Sequence, residues 1–142
     1  MLKAILIYHT RSGNTKSLAE KIKNRLESLN ILVTIYQDLN FKENESLKEY
    51  DIIGLGTPTH YFQIAKEFKT FLQDIINFNF EGKKLIVFGT GTSKTGPPKT
   101  CNDIIKIMKS TGIQTIAKIG CVKTPTDETD TEIEKIISKD IF

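Results

Sequence analysis

The sequence predicts an α/β fold, a three-layer α-β-α sandwich around a five-stranded parallel sheet in the order 2-1-3-4-5. Short apolar runs alternate with stretches of helical periodicity five times along the 142 residues. This alternation is typical of parallel strands joined by right-handed helical crossovers. Three of the runs are apolar throughout, as expected of central strands covered on both faces. The length suits a single domain over residues 1–142.

The five strands are predicted from apolar runs of strand length. The first, third and fourth runs, at residues 4–8, 52–56 and 85–88, are apolar throughout. The second run, 31–36, contains Thr34, and the fifth run, 115–122, contains Lys118. Because polar residues suit a strand with one solvated side, the second and fifth strands are placed at the edges of the sheet. This placement gives the strand order stated above.

Helices are predicted between the strands from apolar residues three or four positions apart. These residues are Leu18, Ile22, Leu26 and Leu29 in the first helix, Ala65, Phe68, Phe71, Leu72, Ile75 and Ile76 in the second, and Ile104, Ile105 and Met108 in the third, which Gly112 ends. A short helix is allowed at Ser46–Glu49. The last helix is expected to open at Thr131, because Glu134 would complete a capping box. Its buried face would comprise Ile133, Ile136, Ile137 and Ile141.

The composition excludes several classes of protein. No apolar run approaches the ~18 residues of a membrane span, and the apolar start indicates a strand rather than a signal peptide. Cys101 and Cys121 are too few for a disulfide scaffold or a cysteine-rich zinc site, and we expect both to be buried and inert. The net charge of +3 is spread along the chain, so no nucleic-acid surface is indicated. We therefore expect a cytoplasmic monomer without a metal site.

One segment is strongly basic. Between residues 83 and 109 the only acidic residue is Asp103, whereas the lysines are Lys83, Lys84, Lys94, Lys99, Lys106 and Lys109. Either solvated helix faces or a docking patch for an acidic partner would account for this charge.

Ligands of such sheets bind beyond the carboxyl ends of the strands, where the winding reverses. The first loop, residues 9–15, follows the first strand and opens a helix. It offers the hydroxyls of Thr10, Ser12 and Thr15, and Gly13 lets the backbone approach a ligand closely. Free N–H groups and the helix dipole favour an anion there, and dense hydroxyls suit a phosphate monoester. The alternative is a plain turn in which Ser12 or Asn14 caps the helix.

The second loop, residues 56–63, follows the third strand and carries Tyr61 and Phe62, on which a flat ring can stack. The alternative is that Phe62 packs on the next helix and Tyr61 is half-buried. The third loop, residues 89–98, is rich in glycine and hydroxyls and lacks the Walker A spacing. It offers either a polar backbone rim or merely a flexible connection. Together the three loops suit a mononucleotide with a flat heterocycle.

With these three loops, the sequence resembles the short-chain flavodoxins. Residues 6–22, from Leu6 to Ile22, fit the N-terminal signature of that family, and residues 56–62 and 84–91 resemble its second and third flavin loops. The resemblance covers essentially the whole chain. In flavodoxins the strands follow the order 2-1-3-4-5, and FMN binds at the switch between strands one and three. The resemblance implies the same strand order and the same FMN position in this chain.

The resemblance implies a set of FMN-binding residues. Those for the phosphate are Thr10, Ser12, Gly13, Asn14 and Thr15, with the Arg11 amide. Those beside the ring are Thr57, Pro58, Thr59, Tyr61 and Phe62. Those along its polar edge lie within Thr90–Gly96 and include Thr90, Gly91, Thr92, Lys94 and Gly96. His60 is either a solvated loop residue or a group that makes the potential depend on pH.

The resemblance implies a one-electron carrier that works between redox partner proteins, and no catalytic residue is assigned. Flavodoxins are usually acidic, whereas this chain is basic. We therefore expect a partner with an acidic docking face and, with Lys94 and Lys99 near the third loop, a less negative potential for full reduction of the flavin. An NAD(P)H-dependent flavin or quinone reductase and a non-flavin binding domain are the alternatives. A phosphoacceptor domain is disfavoured because no acidic residue follows the first or third strand.

Overall fold

The computed structural model describes residues 1–142. The strands are β1 (Lys3–Tyr8), β2 (Leu32–Gln37), β3 (Ile52–His60), β4 (Gln63–Ile64), β5 (Lys84–Gly91) and β6 (Gln114–Val122). The helices are α1 (Asn14–Ser28), α2 (Lys66–Ile75), α3 (Gly96–Met108) and α4 (Asp127–Ile136). Single 3₁₀ segments occupy Asp38–Asn40, Asn44–Glu49, Lys109–Thr111 and Lys139–Ile141. None of the helices has the length and apolarity needed to cross a membrane.

The strand order confirms the prediction for the five parallel strands. They pair as β2-β1-β3-β5-β6, with β2 and β6 at the edges. The sixth strand, β4, is an addition that the sequence did not indicate, and it pairs antiparallel with the end of β3, where Thr59 faces Ile64. The parallel strands are joined by helices, so their carboxyl ends meet at one edge of the sheet.

The sheet is covered on both faces. Ile5 and Ile7 of β1 point into a core shared with α2 and α3, whereas Leu6 and Tyr8 point into a core shared with α1 and α4. This alternation is the period-two direction of strand side chains, and it explains why a buried central strand is apolar throughout. The fold is the predicted three-layer sandwich.

The start of the last helix differs from the prediction. Helix α4 begins at Asp127 rather than at Thr131. The capping box is formed by Thr126 and Thr129, whose hydroxyl accepts a hydrogen bond from the Thr126 N–H at 2.9 Å. The first turn of α4 is acidic, which the helix dipole favours, and it precedes Thr131, where the helix was predicted to start. Of the predicted buried face, Ile133 and Ile137 are buried, and Ile136 and Ile141 are partly buried.

Candidate functional site

The carboxyl ends of β1, β3 and β5 bring the three loops together, as predicted. The His9 N–H donates to the carbonyl of Gly56 at 3.0 Å, which continues the pairing of β1 with β3. Pro58 of β3 stands opposite Thr90 of β5. The hydroxyls of Thr15 and Thr90 are 2.8 Å apart and buried. The first, second and third loops therefore form one continuous surface.

The first loop ends in an uncapped helix N-terminus. Gly13 is the N-cap residue of α1 with a φ of 95°, a left-handed conformation that favours glycine. The Thr10 hydroxyl accepts from the Gly13 N–H at 3.0 Å, and no side chain caps the helix. The alternative in which Ser12 or Asn14 caps α1 is therefore wrong. The first-turn N–H groups of α1 stay free for an anion, beside several hydroxyls.

The second loop is a tight hairpin rather than an open loop. Strand β3 continues to His60, and Tyr61 and Phe62 form the two-residue turn into β4. Both turn residues have positive φ, 49° and 61°, a conformation that costs a residue other than glycine about 1–2 kcal/mol. Tyr61 is 94% exposed and Phe62 53% exposed. The alternative with a half-buried Tyr61 is therefore wrong, whereas Phe62 is partly covered.

Two contacts hold this strained turn in place. The Thr57 hydroxyl accepts from the Ala65 N–H at 3.2 Å, across the base of the hairpin. The Lys99 ammonium donates to the Phe62 carbonyl at 2.9 Å. Strain that the surroundings maintain is typical of binding sites, because a relaxed turn would not present the same groups. Here the presented groups are two aromatic rings.

The third loop is shorter than predicted. Strand β5 runs to Gly91 and α3 begins at Gly96, so only residues 92–95 connect them. The glycines that flank it, Gly91 and Gly96, lie close to the second loop, since a Cβ on Gly96 would be 3.0 Å from the Thr59 Cγ2. The Ser93 hydroxyl accepts from the Gly96 N–H at 3.2 Å. The connection is therefore constrained against the second loop, while Lys94 is exposed.

A charged chain beneath the first and second loops was not anticipated. The His9 Nδ1 lies 3.0 Å from a carboxylate oxygen of Asp38, and both side chains are buried. The His9 Nε2 lies 3.6 Å from the Glu67 Oε2, and the same oxygen is 3.3 Å from Arg11 Nη2. The Arg11 Nη1 is 3.2 Å from the His60 Nδ1. Five titratable or charged groups are thus linked in series.

The sequence did contain a signal for the buried end of this chain. Tyr8 pairs with Gln37, so the next residues of the two adjacent strands, His9 and Asp38, meet at the same edge. Burial, followed by the Arg11 guanidinium, lowers the pKa of His60. A hydrogen bond from its own backbone N–H, helped by Arg11, lowers the pKa of Glu67.

Both cysteines are buried and free, as predicted. Burial raises the pKa of the Cys101 thiol to about 12, and burial also raises the pKa of Cys121. A raised thiol pKa lowers the fraction of the nucleophilic thiolate, which is consistent with the expected inert role of both residues.

Next to the hairpin lies a basic cleft of about 410 Å³. It is bordered by Gln63 and by lysines of α2 and α3, namely Lys69, Lys99 and Lys106. Lys99 forms an ion pair with Asp103 at 2.8 Å. Lys69 and Lys106 have no carboxylate partner, so the cleft carries free positive charge.

Comparison with known proteins gives consistent matches. A family model described as "Flavodoxin domain" matches residues 5–131. A probable flavodoxin 2 of Bacillus subtilis (strain 168) is 30% identical over 92 residues, which are 64% of this chain and 61% of that protein. A flavodoxin of Clostridium saccharobutylicum is 28% identical over 95 residues, 67% of this chain and 59% of that protein. The chain thus spans about three fifths of the length of these two curated relatives.

Solved structures match over nearly the full length. A flavodoxin from the domain Archaea superposes with a TM-score of 0.86 at 27% identity and covers 99% of both chains. The oxidised flavodoxin 2 of Bacillus cereus superposes with a TM-score of 0.83 at 27% identity, covering 96% of this chain and 97% of that one.

Proposed function

The chain belongs to the flavodoxin family, and we propose that it shuttles single electrons between redox partners with FMN held at the carboxyl edge of β1, β3 and β5. FMN is the cofactor of this family. The observation that carries the proposal is the hairpin turn, which holds Tyr61 and Phe62 exposed at positive φ. A turn of this kind costs backbone strain, and it offers a flat ring two aromatic surfaces.

The residues of the first loop fit a phosphate group. The N-terminus of α1 has no side-chain cap and Gly13 there has a left-handed conformation, so the first-turn N–H groups are free to bind an anion. Thr10, Ser12 and Thr15 lie at this end of α1; the Thr10 hydroxyl accepts from the Gly13 N–H, and the buried Thr15 hydroxyl pairs with that of Thr90. Hydrogen bonds from neutral donors, added to the helix dipole, stabilise a phosphate without an adjacent lysine. We assign the phosphate to Thr10, Ser12, Gly13, Asn14 and Thr15, with the Arg11 amide.

The second and third loops fit the ring. The second loop is held against α3 by the Thr59 and Thr100 hydroxyls, 2.9 Å apart, and lies against the third loop through the close approach of Gly91 and Gly96 to Thr59. When bound, FMN supplies the one-electron chemistry that the side chains of this chain lack. The residues of the second and third loops would orient the FMN ring and exclude water from one of its faces. We assign this role to Thr57, Pro58, Thr59, His60, Tyr61 and Phe62, and the polar edge to Thr90, Gly91, Thr92, Lys94 and Gly96.

The first test is a titration of FMN with the apo-protein, followed by flavin fluorescence. Stacking on the hairpin should quench the fluorescence at a one-to-one ratio, and Tyr61→Ala should weaken binding. Tyr36→Ala is a matched control, because Tyr36 is also an exposed aromatic, at 41%, but lies on the edge strand β2. A folded apo-protein that leaves FMN fluorescence unchanged would refute the assignment of the three loops.

The partner in this proposal has an acidic docking face. The basic cleft borders the hairpin, so an acidic partner seated there would lie beside the exposed rings. Unpaired lysines steer an oppositely charged partner toward the cleft and raise the association rate, and salt screens the effect. The protein acts as a monomer, and its two free thiols suit the reducing cytoplasm.

The docking proposal is tested by electron-transfer rates measured with one acidic and one basic redox protein. The acidic partner should react faster, and its rate should fall as ionic strength rises. Reversing the unpaired charges in Lys69→Glu/Lys106→Glu should slow only the acidic partner. Lys135→Glu, on α4 across the sheet, is the control and should leave both rates unchanged. Equal rates for the two partners at low salt would contradict the proposal.

A further inference from the structure

Arg11 connects two of the three loops through its side chain. Its Nη1 donates to the His60 Nδ1 at 3.2 Å, and its Nη2 donates to the Glu67 Oε2 at 3.3 Å. His60 ends β3 at the second loop, and Glu67 lies in the first turn of α2 just beyond it. Arg11 itself belongs to the first loop. The guanidinium therefore spans the gap between the phosphate side and the ring side of the site.

The chemistry of this contact defines the proton on His60. A guanidinium has only donors and keeps its charge at all ordinary pH values. The His60 Nδ1 must consequently accept the hydrogen bond through its lone pair, so the ring is neutral with its proton on Nε2. A proton on Nδ1 removes the acceptor and places two positive charges 3.2 Å apart.

The inner end of the chain is anchored in the core. The Glu67 Oε2 that binds Arg11 also faces the His9 Nε2 at 3.6 Å. The other ring nitrogen of His9 meets the Asp38 carboxylate, which also accepts from the Leu39 N–H at 2.9 Å. The side chains of His9 and Asp38 are 7% and 2% exposed, so this end of the chain is buried. Glu67 thus lies between this buried pair and Arg11.

We propose that Arg11 is a positioning residue that clamps the second loop to the first through its side chain, and that the His60 Nδ1 lone pair is the point at which a proton releases the clamp. The proposal rests on the proposed function, because its consequence is a pH-dependent retention of FMN. The phosphate-binding role proposed above for the first loop concerns backbone amides and hydroxyls; the clamp is a separate role for the Arg11 guanidinium.

The surrounding charges set where release occurs. Burial, the Arg11 guanidinium and His9 all lower the pKa of His60, and only Glu67 opposes them. Release is therefore expected below the ordinary histidine range, and the clamp is closed at neutral pH. Arg11 and Glu67 are about half exposed, 47% and 46%. Contacts this exposed are weak, so we expect a two- to fivefold change in FMN affinity at most, roughly the strength of a surface ion pair.

The first experiment needs no flavin. In the apo-protein at pH 7, ¹⁵N chemical shifts of the His60 ring should show protonated Nε2 and unprotonated Nδ1. In Arg11→Gln the fixed tautomer should be lost and the midpoint of the His60 titration should rise, because a positive neighbour has been removed. A His60 with protonated Nδ1 at pH 7, or a midpoint that Arg11→Gln leaves unchanged, would overturn the clamp whether or not FMN binds.

The second experiment measures FMN dissociation constants between pH 5 and 8. The FMN phosphate itself titrates near pH 6. The quantity to compare is therefore the change in FMN affinity with pH in each variant relative to the native chain. The native chain should lose two- to fivefold more affinity on acidification than His60→Gln or Arg11→Gln. Lys21→Gln, which removes the α1–α4 ion pair with Asp130, is the control and should follow the native profile. Parallel profiles for all four proteins would refute the positioning role, whereas failure of every protein to bind FMN would refute the proposed function itself.

Discussion

The hydroxyl oxygens of Thr15 and Thr90 lie 2.8 Å apart, although 75 residues separate them in the sequence. Thr15 stands in the first turn of α1, Thr90 stands near the end of β5, and both are buried. Their hydrogen bond ties the first loop to the third from within the fold. The geometry of the phosphate side therefore depends on a residue of the ring side.

Replacing Thr15 by Val should destabilise the apo-protein by about 1–2 kcal/mol, because the buried Thr90 hydroxyl loses its partner. Removing both hydroxyls in Thr15→Val/Thr90→Val should cost less than the sum of the two single changes, since no orphaned group remains. Urea unfolding of the four proteins measures this coupling. The less buried pair Thr59 and Thr100, 2.9 Å apart, provides a matched cycle with a smaller expected coupling. Strictly additive losses at Thr15 and Thr90 would contradict the prediction.

Tyr61→Gly should make the apo-protein more stable and the FMN complex weaker. Tyr61 has a φ of 49° and is 94% exposed, so glycine relieves backbone strain and removes almost no packing. We expect a gain of about 0.5–1 kcal/mol in the free energy of unfolding, after allowance for the entropy of glycine. The loss of the stacking ring should weaken FMN binding by roughly two- to tenfold.

Unfolding of the apo-protein and FMN titration are both required for this test. Phe62→Gly is the comparison, because Phe62 has the same backbone strain but is only 53% exposed and loses packing. Its gain in stability should be smaller. An apo-protein that Tyr61→Gly destabilises would show that the turn is favourable as it stands.

The sequence predicted those parts of the fold that local patterns determine. The central strands are apolar on both faces because both faces are buried, and the edge strands carry polar residues such as Thr34 and Lys118 because one side is solvated. The three loops were located because parallel strands end at one edge. Gly112, at a φ of 82°, ends the third helical region as predicted.

The missed features depend on tertiary contacts. Hairpin turns of two residues usually contain glycine or asparagine, and the pair Tyr61 and Phe62 gives no such signal. Strand β4 could not be predicted for the same reason. Two capping patterns compete at the last helix, and the acidic first turn decides between them in favour of Thr126. The link from Arg11 to His60 and Glu67 depends on the orientation of a long side chain, which no periodicity encodes.

Cys101 should make the stability of the protein decrease at alkaline pH. Burial raises the pKa of its thiol from 9.0 to about 12 in the folded state. Between these values the unfolded chain releases a proton that the folded chain retains, so the free energy of unfolding falls as pH rises, by at most about 1.4 kcal/mol per pH unit. Below pH 9 this contribution is fully present.

Urea unfolding at pH 8 to 10.5 measures that slope, and Cys101→Ala should reduce it whatever its effect on absolute stability. Cys121→Ala is the control: burial also raises the pKa of Cys121, but this residue is less buried than Cys101, so Cys121→Ala should reduce the slope less. An identical slope in the native chain and in Cys101→Ala would contradict the assignment.

Lys94→Glu should make the potential for full reduction of the bound flavin more negative. Lys94 is exposed in the third loop without an ion-pair partner, whereas Lys99 is neutralised by Asp103 at 2.8 Å. The charge of the loop therefore rests on Lys94. Reversing one charge at about 10 Å in water changes the energy of an added electron by roughly 0.8 kcal/mol, or roughly 20–40 mV after screening. A redox titration at low ionic strength measures the shift in potential. Lys135→Glu, on α4, is the control. Added salt should reduce the difference in potential between Lys94→Glu and the native chain. A potential that is unchanged, or that rises, in Lys94→Glu would show that the positive charge of the third loop does not act on the flavin.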